Sequence, residues 1–145
     1  MSSRRTDATA ARQRLLRINA LFLGGFGLLG LVVLDIPAAC CQAGAAGAIV
    51  AAAPSSAIGF IEAHGLAVIL AALFFRASLQ TPDLSWHVAA AATHLLLGTA
   101  NIVFWDLFVI GDVVWLGWLT TALHVVFATA EGLAATAAAQ QPSPR

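Results

Sequence analysis

Four long apolar runs dominate this sequence, and each is close to the length that a membrane-spanning helix needs. They lie at about residues 15–34, 57–75, 86–109 and 113–138. A helix of about 20 mostly apolar residues crosses the hydrocarbon core of a bilayer. The runs occupy most of the 145 residues, which leaves no room for a separate water-soluble domain. We therefore predict an all-α integral membrane protein whose residues 1–145 form one domain, a four-helix transmembrane bundle.

The composition agrees with a lipid environment. Hydrophobic residues make up 60% of the chain and charged residues only 10%, with a net charge of +0. Soluble domains carry about 25% charged residues, so this chain could not cover its surface in water. These values exclude a soluble domain and a nucleic-acid-binding protein. The lipid bilayer is the expected partner.

The arginines predict the orientation in the membrane. The chain has no lysine, and most of its seven arginines precede the first run; the others are Arg76, after the second run, and Arg145. Basic residues accumulate on the cytoplasmic side of membrane proteins. We therefore expect both termini in the cytoplasm (N-in/C-in), in a bacterial cytoplasmic membrane. The first run exceeds the usual apolar region of a signal peptide, so we expect it to be retained as a span.

The segments between and beyond the runs carry turn signals. Asp83 is a candidate N-cap for the third run, as is Ser85. The uncharged, Ala- and Gly-rich loop 37–56 is expected along the outer interface or packed on the bundle, with a short helix at Gly44–Ala53. Residues 1–11 and 140–145 are expected to be disordered tails. The adjacent cysteines Cys40 and Cys41 do not predict an internal disulfide framework.

Polar side chains inside the predicted spans are the candidate functional residues, because such groups are costly in lipid unless they are paired or solvated. The candidate ligand-binding residues are Glu62, His64, His94, Asn101, His124 and Glu131. At about 1.5 Å of rise per residue, the three histidines approach the bilayer midplane on three different helices. Asp35 is instead expected at the outer boundary and His87 at the inner interface, both in contact with water.

Helical phase groups these residues further. His87, His94, Gly98, Asn101 and Trp105 share one stripe of the third run, and Gly117, Thr120, Thr121, His124 and Glu131 share one stripe of the fourth. Small and polar residues are typical of surfaces that face other membrane helices. Glu62 and His64 are two residues apart, so they point to nearly opposite sides.

Several chemistries remain compatible with this set. A b-type haem would need two axial ligands from His64, His94 and His124. A quinone or another lipophilic ligand needs only a pocket with a histidine donor and a carboxylate. Alternatively, the polar residues only form hydrogen bonds that hold the helices together. No motif assigns a catalytic residue or a metal site, so the sequence leaves open whether the chain is an enzyme.

One stretch of the second run carries a family resemblance. It reads Gly59-x-x-Glu62-x-x-Gly65-Leu66, continues as an aliphatic run and ends at Arg76. With an arginine-led first span and four spans, the chain resembles the DoxX-like superfamily of small four-helix membrane proteins. The resemblance implies a membrane subunit of a sulfur-compound:quinone oxidoreductase, a partner of redox-protective enzymes or an assembly helper. It also implies a role for Glu62.

These observations predict a redox-associated membrane subunit that binds a lipophilic ligand, either quinone-like or haem, at an intramembrane His/Glu/Asn cluster. One alternative is a non-enzymatic assembly or helper subunit whose polar residues join helices. Another is a small oligomeric transporter. A membrane or redox-enzyme partner and a homo-oligomer are compatible with these hypotheses.

Overall fold

The computed structural model describes the backbone of residues 2–140 and the side chains of residues 7–140. This part of the chain is helical and contains no strand. The helices are α1 (Ser2–Leu29), α2 (Ile36–Cys41), α3 (Gly47–Ala52), α4 (Ser56–Ser78), α5 (Leu84–Val103), α6 (Asp106–Ile110) and α7 (Val114–Ala139). A π-helical turn, Gly30–Asp35, joins α1 to α2 without a break.

Three helical segments within the described residues are long and apolar enough to cross a membrane: Asp7–Cys41, Ser56–Ser78 and Val114–Ala139. Large apolar side chains also cover the outward faces of the long helices; Leu96 and Leu133, for example, are 70% and 67% exposed. So much exposed apolar surface suits lipid rather than water. The helical architecture thus supports a membrane protein.

The predicted and observed helix bounds differ at the start of the chain. α4 and α7 lie close to the predicted spans 57–75 and 113–138. α1 begins at Ser2, however, so residues 2–11 are helical where we expected a disordered tail. Of the other expected tail, Gln140 follows α7 and the remainder lies outside the described residues.

The predicted third span, 86–109, is divided into two helices. α5 ends because Phe104, with φ −105° and ψ 36°, leaves the helical conformation, and α6 begins at Asp106. α6 brings Phe108 against α7, where a Cβ added at Gly117 would lie 2.8 Å from the Phe108 ring. The expectation of one continuous helix over this run is therefore corrected: its last residues fold back onto α7.

The start of α5 has the N-cap that the sequence predicts. The Asp83 carboxylate accepts hydrogen bonds from the backbone N–H groups of Ser85 and Trp86. The Ser85 hydroxyl also donates to it, at 2.6 Å, and this bond is the main reason that the pKa of Asp83 lies below its usual value. The cap stabilises the first turn of α5.

The long helices pack as two pairs, α1 with α4 and α5 with α7. Glycines allow the close approach in both pairs. A Cβ at Gly24 or Gly27 would lie 3.0 Å from an alanine of α4, and one at Gly98 would lie 3.2 Å from His124 of α7. The face of α1 that carries these glycines is thus a packing surface.

The two pairs contact each other much less closely than the helices within each pair. At one end of the bundle, the segment that contains α2 and α3 covers the gap between the two helix pairs. Val50 of α3 packs with Ala46 and Ala38, and Phe60 of α4 contacts this cluster. The predicted short helix of the first loop is therefore found as α3, packed on the bundle.

Candidate functional site

Five buried side chains from α1, α5 and α7 form one continuous series of hydrogen bonds, which we call the Asn19 chain. In order, its members are His87, Glu131, Asn19, His94 and His124. The first four are fully buried and His124 is only 8% exposed. Two helices of one pair and one helix of the other contribute, so the chain joins the two helix pairs.

Every bond in the Asn19 chain is short. Glu131 Oε2 lies 2.6 Å from His87 Nδ1, and its Oε1 accepts from Asn19 Nδ2 at 2.9 Å. Asn19 Oδ1 lies 2.6 Å from His94 Nε2, and the two Nδ1 atoms of His94 and His124 are 2.9 Å apart. Polar groups buried in an apolar bundle are costly unless they are hydrogen-bonded, and here each side chain has a partner.

The acceptors in the chain determine which nitrogen carries each proton. Asn19 donates its amide to the Glu131 carboxylate, so its oxygen must accept from His94 Nε2–H. A neutral His94 then has a bare Nδ1, which accepts from His124 Nδ1–H. A neutral His124 is therefore left with a bare Nε2, which is a hydrogen-bond acceptor.

A second polar group, the Asp35–His64 pair, lies apart from the Asn19 chain. Asp35 is 2% exposed, and its Oδ2 lies 2.7 Å from His64 Nδ1. The other oxygen, Oδ1, is buried without a partner within the described structure. Asp35 ends the π-helical turn, a local irregularity that occurs often at functional sites.

Gly30 makes room for this pair. A Cβ added at Gly30 would lie 2.4 Å from His64 Nε2 and 2.5 Å from its Cδ2. The imidazole edge therefore packs against the backbone of Gly30, and any larger residue would displace the ring.

An apolar cavity of about 870 Å³ lies between the two helix pairs. Its wall is formed mainly by aliphatic and aromatic side chains such as Phe22, Phe26 and Leu116. Few polar side chains reach the wall: Asp35, Ser56, His64, Asn101, Thr120 and His124. The cavity therefore touches both polar groups, through the Asp35–His64 pair and through the His124 end of the Asn19 chain. Its size falls within the range of about 300–1,000 Å³ that is typical of small-molecule sites.

The six candidate ligand-binding residues do not lie together in the structure. His94, His124 and Glu131 belong to the Asn19 chain. His64 instead pairs with Asp35, so the three histidines do not converge on one point.

The remaining two selected residues differ in placement. Asn101 donates to Thr120 Oγ1 at 3.0 Å and lines the cavity. Glu62 lies on an exposed face of α4, away from the cavity wall. Glu62 and His64 do face different sides, as their spacing predicts.

Three residues of the Asn19 chain and the Asp35–His64 pair were not among the six candidate ligand-binding residues. Asp35 and His87, expected in contact with water, are buried at 2% and 0% exposure, which corrects both expectations. Asn19 was not among the candidates, although it is a polar residue inside the first apolar run. That isolated position was the available signal, because a buried amide in a membrane helix needs partners.

The contacts of the histidines disfavour a bis-histidine haem. Both ring nitrogens of His94 are engaged, one by Asn19 and one by His124, so neither is free for iron. His64 uses Nδ1 for Asp35, and its Nε2 packs against Gly30. Among the described residues, no group of three or more His, Cys, Asp or Glu side chains is arranged to hold a metal ion.

Comparison with protein-family models, with curated proteins and with solved structures gives no match to this chain.

Proposed function

We propose that this chain is a small membrane protein that binds a lipophilic ligand between its two helix pairs. The observation that carries this proposal is the apolar cavity of about 870 Å³, which meets a histidine of each polar group. A ligand site of this kind is mostly apolar, with a few polar groups that orient the bound molecule. A ligand that enters from the bilayer has an apolar body and a polar headgroup, which matches this wall.

A quinone-like molecule fits the polar groups of the wall better than haem. A quinone-like ligand needs only hydrogen bonds, whereas haem needs two opposed axial nitrogens. Because both ring nitrogens of His94 are already hydrogen-bonded, His94 cannot be an axial ligand, which favours the quinone-like molecule. The resemblance to DoxX-like proteins is retained as part of the proposal, and it is the source of the redox association with a membrane or redox-enzyme partner. On this view, the cavity is the ligand site of a redox-associated subunit.

The Asn19 chain supports the alternative hypothesis of a helper subunit whose polar residues join helices. Its side chains form hydrogen bonds with one another and Asn19 connects the two helix pairs, which is how polar residues join helices in membranes. We therefore assign the two sequence hypotheses to different places: the Asn19 chain holds the helix pairs together, and the cavity binds the ligand.

We further propose that α5 is a fourth span and that both termini are cytoplasmic. Its 20 residues extend about 30 Å at 1.5 Å per residue, the thickness of a hydrocarbon core. His87 and His94 lower its hydropathy, but both are buried inside the bundle, and Leu95 and Leu96 cover its outward face. The distribution of arginines supports the orientation.

Cysteine labelling tests this topology. Cys40 and Cys41 are exposed at the end of α2 and are the only cysteines in the chain. After brief reduction of intact cells, a membrane-impermeant maleimide is expected to label them, because N-in orientation places them outside. In a variant with both cysteines replaced by serine, Thr81→Cys should be labelled only after permeabilisation. The reverse pattern would contradict the orientation.

A cavity-filling substitution tests the ligand site. Ala100 of α5 lines the cavity, whereas Ala92 of the same helix is exposed away from it. We expect Ala100→Phe to weaken binding at least about 10-fold because the ring occupies ligand volume. Ala92→Phe, the matched control, should bind like the unmodified protein.

The measurement is isothermal titration calorimetry of the detergent-purified full-length protein with 2-decyl-1,4-benzoquinone and with its hydroquinone. Equal affinity of the two phenylalanine variants would contradict binding in this cavity. No saturable binding of either probe to the unmodified protein would contradict the quinone-like ligand.

A further inference from the structure

Two acceptor atoms in the polar groups at the cavity have no hydrogen-bond donor. Asp35 Oδ1 is buried and has no partner within the described structure. The proton of the Asp35–His64 pair lies between Oδ2 and Nδ1, 2.7 Å apart, so Oδ1 remains an acceptor whichever atom holds that proton. On the wall, the Asn19 chain ends at the bare Nε2 of a neutral His124.

The hydroxyl donors of the wall, Ser56 and Thr120, are engaged by backbone oxygens. The N–H groups of Asn101 and Trp115 supply donors but no partner for a donor. Asn101 Nδ2 donates to Thr120 Oγ1, and the Thr120 hydroxyl donates in turn to the backbone oxygen of Leu116, at 2.8 Å. His64 Nε2 packs against Gly30. A headgroup that brings only carbonyl oxygens would therefore leave Asp35 Oδ1 and His124 Nε2 without donors.

From this arrangement, we propose that the cavity selects a lipophilic ligand whose headgroup donates hydrogen bonds through hydroxyl groups, as a hydroquinone does, over the oxidised carbonyl form of the same molecule. The inference rests on the proposed function, since it names the chemical class that the cavity takes. Asp35 is the main recognition group, because an unpaired carboxylate oxygen in an apolar wall gains most from a donated hydrogen bond. His124 Nε2 is the second acceptor.

Three matched probes test the selection. They are 2-decylhydroquinone, its dimethyl ether, which cannot donate, and 2-decyl-1,4-benzoquinone. We expect the full-length protein in detergent to bind the hydroquinone at least about 10-fold more tightly than either other probe, because only the hydroquinone supplies the missing donors. The measurement is calorimetric titration under anaerobic conditions, which keep the hydroquinone reduced.

A variant pair assigns the selection to Asp35. Asp35→Asn keeps the shape of the side chain but replaces the carboxylate with a weaker acceptor, so the ratio of hydroquinone to ether affinity should fall to about 3 or less. Glu62→Gln makes the same chemical change on an exposed face of α4 and should leave the ratio unchanged. A ratio in Asp35→Asn equal to that of the unmodified protein would overturn the role of Asp35.

If Asp35→Asn does not fold, the titrations of the unmodified protein with the three probes still test the proposed preference for the hydroquinone. Equal affinity for all three probes, or tighter binding of the quinone, would overturn the inference and leave the proposed lipophilic site standing. Absence of saturable binding by all three probes would instead overturn the proposed function itself. The two failures are therefore distinguishable in one set of titrations.

Discussion

Glu131→Ala is expected to lower the free energy of unfolding by about 3 kcal/mol, because two buried donors lose their acceptor at once. His87 Nδ1 and Asn19 Nδ2 both bond to the Glu131 carboxylate, at 2.6 and 2.9 Å. Hydrogen bonds between membrane helices average only about 0.6 kcal/mol. An unsatisfied buried group costs more, about 1–3 kcal/mol, and this penalty dominates here.

The measurement is an SDS titration of the protein in mixed micelles, followed by far-UV circular dichroism. Glu62→Ala is the matched control, since Glu62 is exposed and outside both polar groups, and we expect a change below about 0.5 kcal/mol. Glu131→Gln, which can still accept at one oxygen, should fall between the two. If Glu131→Ala unfolds as late in the titration as Glu62→Ala, the Asn19 chain does not hold the helix pairs together.

The buried faces of the long helices could be predicted from the sequence. The stripe of the third run that contains His87, His94 and Gly98 is the face of α5 that is buried. On α7, the predicted stripe likewise includes the buried residues Gly117, His124 and Glu131. Helical phase works here because both stripes lie on regular helices, where the angle between residues is constant.

The partners of these residues could not be predicted in the same way. Phase gives the direction of a side chain but not the neighbouring helix, and the pairing of α1 with α4 and α5 with α7 follows from packing. The sequence therefore suggested three convergent histidines, whereas packing brings Asn19 between Glu131 and His94. The cavity is a consequence of the same pairing, because it is the space that the two pairs leave between them.

The contact between Asp35 and His64 could not be predicted from the sequence because the backbone departs from a regular α-helix just before Asp35. Regular α-helical spacing carries Asp35 to the end of the first run, where water is expected. The π-helical turn, Gly30–Asp35, changes the helical phase at this point, and Asp35 is buried against His64. No residue pattern in the run marked this change of phase.

Gly30→Ala is expected to weaken binding of 2-decylhydroquinone by about 10-fold or more, because the new Cβ would occupy the position of the His64 ring. That Cβ would lie 2.4 Å from Nε2, closer than side-chain carbons approach other atoms, and the bond to Asp35 limits how far the ring can turn. Gly25→Ala on the same helical segment is the matched control, since nothing lies within 4 Å of its added Cβ. Calorimetric titration gives the affinities.

Nitrogen-15 NMR of the labelled histidines provides an independent measurement on the same two variants. In Gly30→Ala the signals of His64 should shift, because its bond to Asp35 is disturbed, while those of the Asn19 chain should stay in place. If His64 shifts and the affinity is unchanged, the ligand does not use the Asp35 end of the cavity. If both change in Gly30→Ala and neither changes in Gly25→Ala, the loss of binding follows from the displaced ring, because the two substitutions add the same methyl group to the same apolar segment.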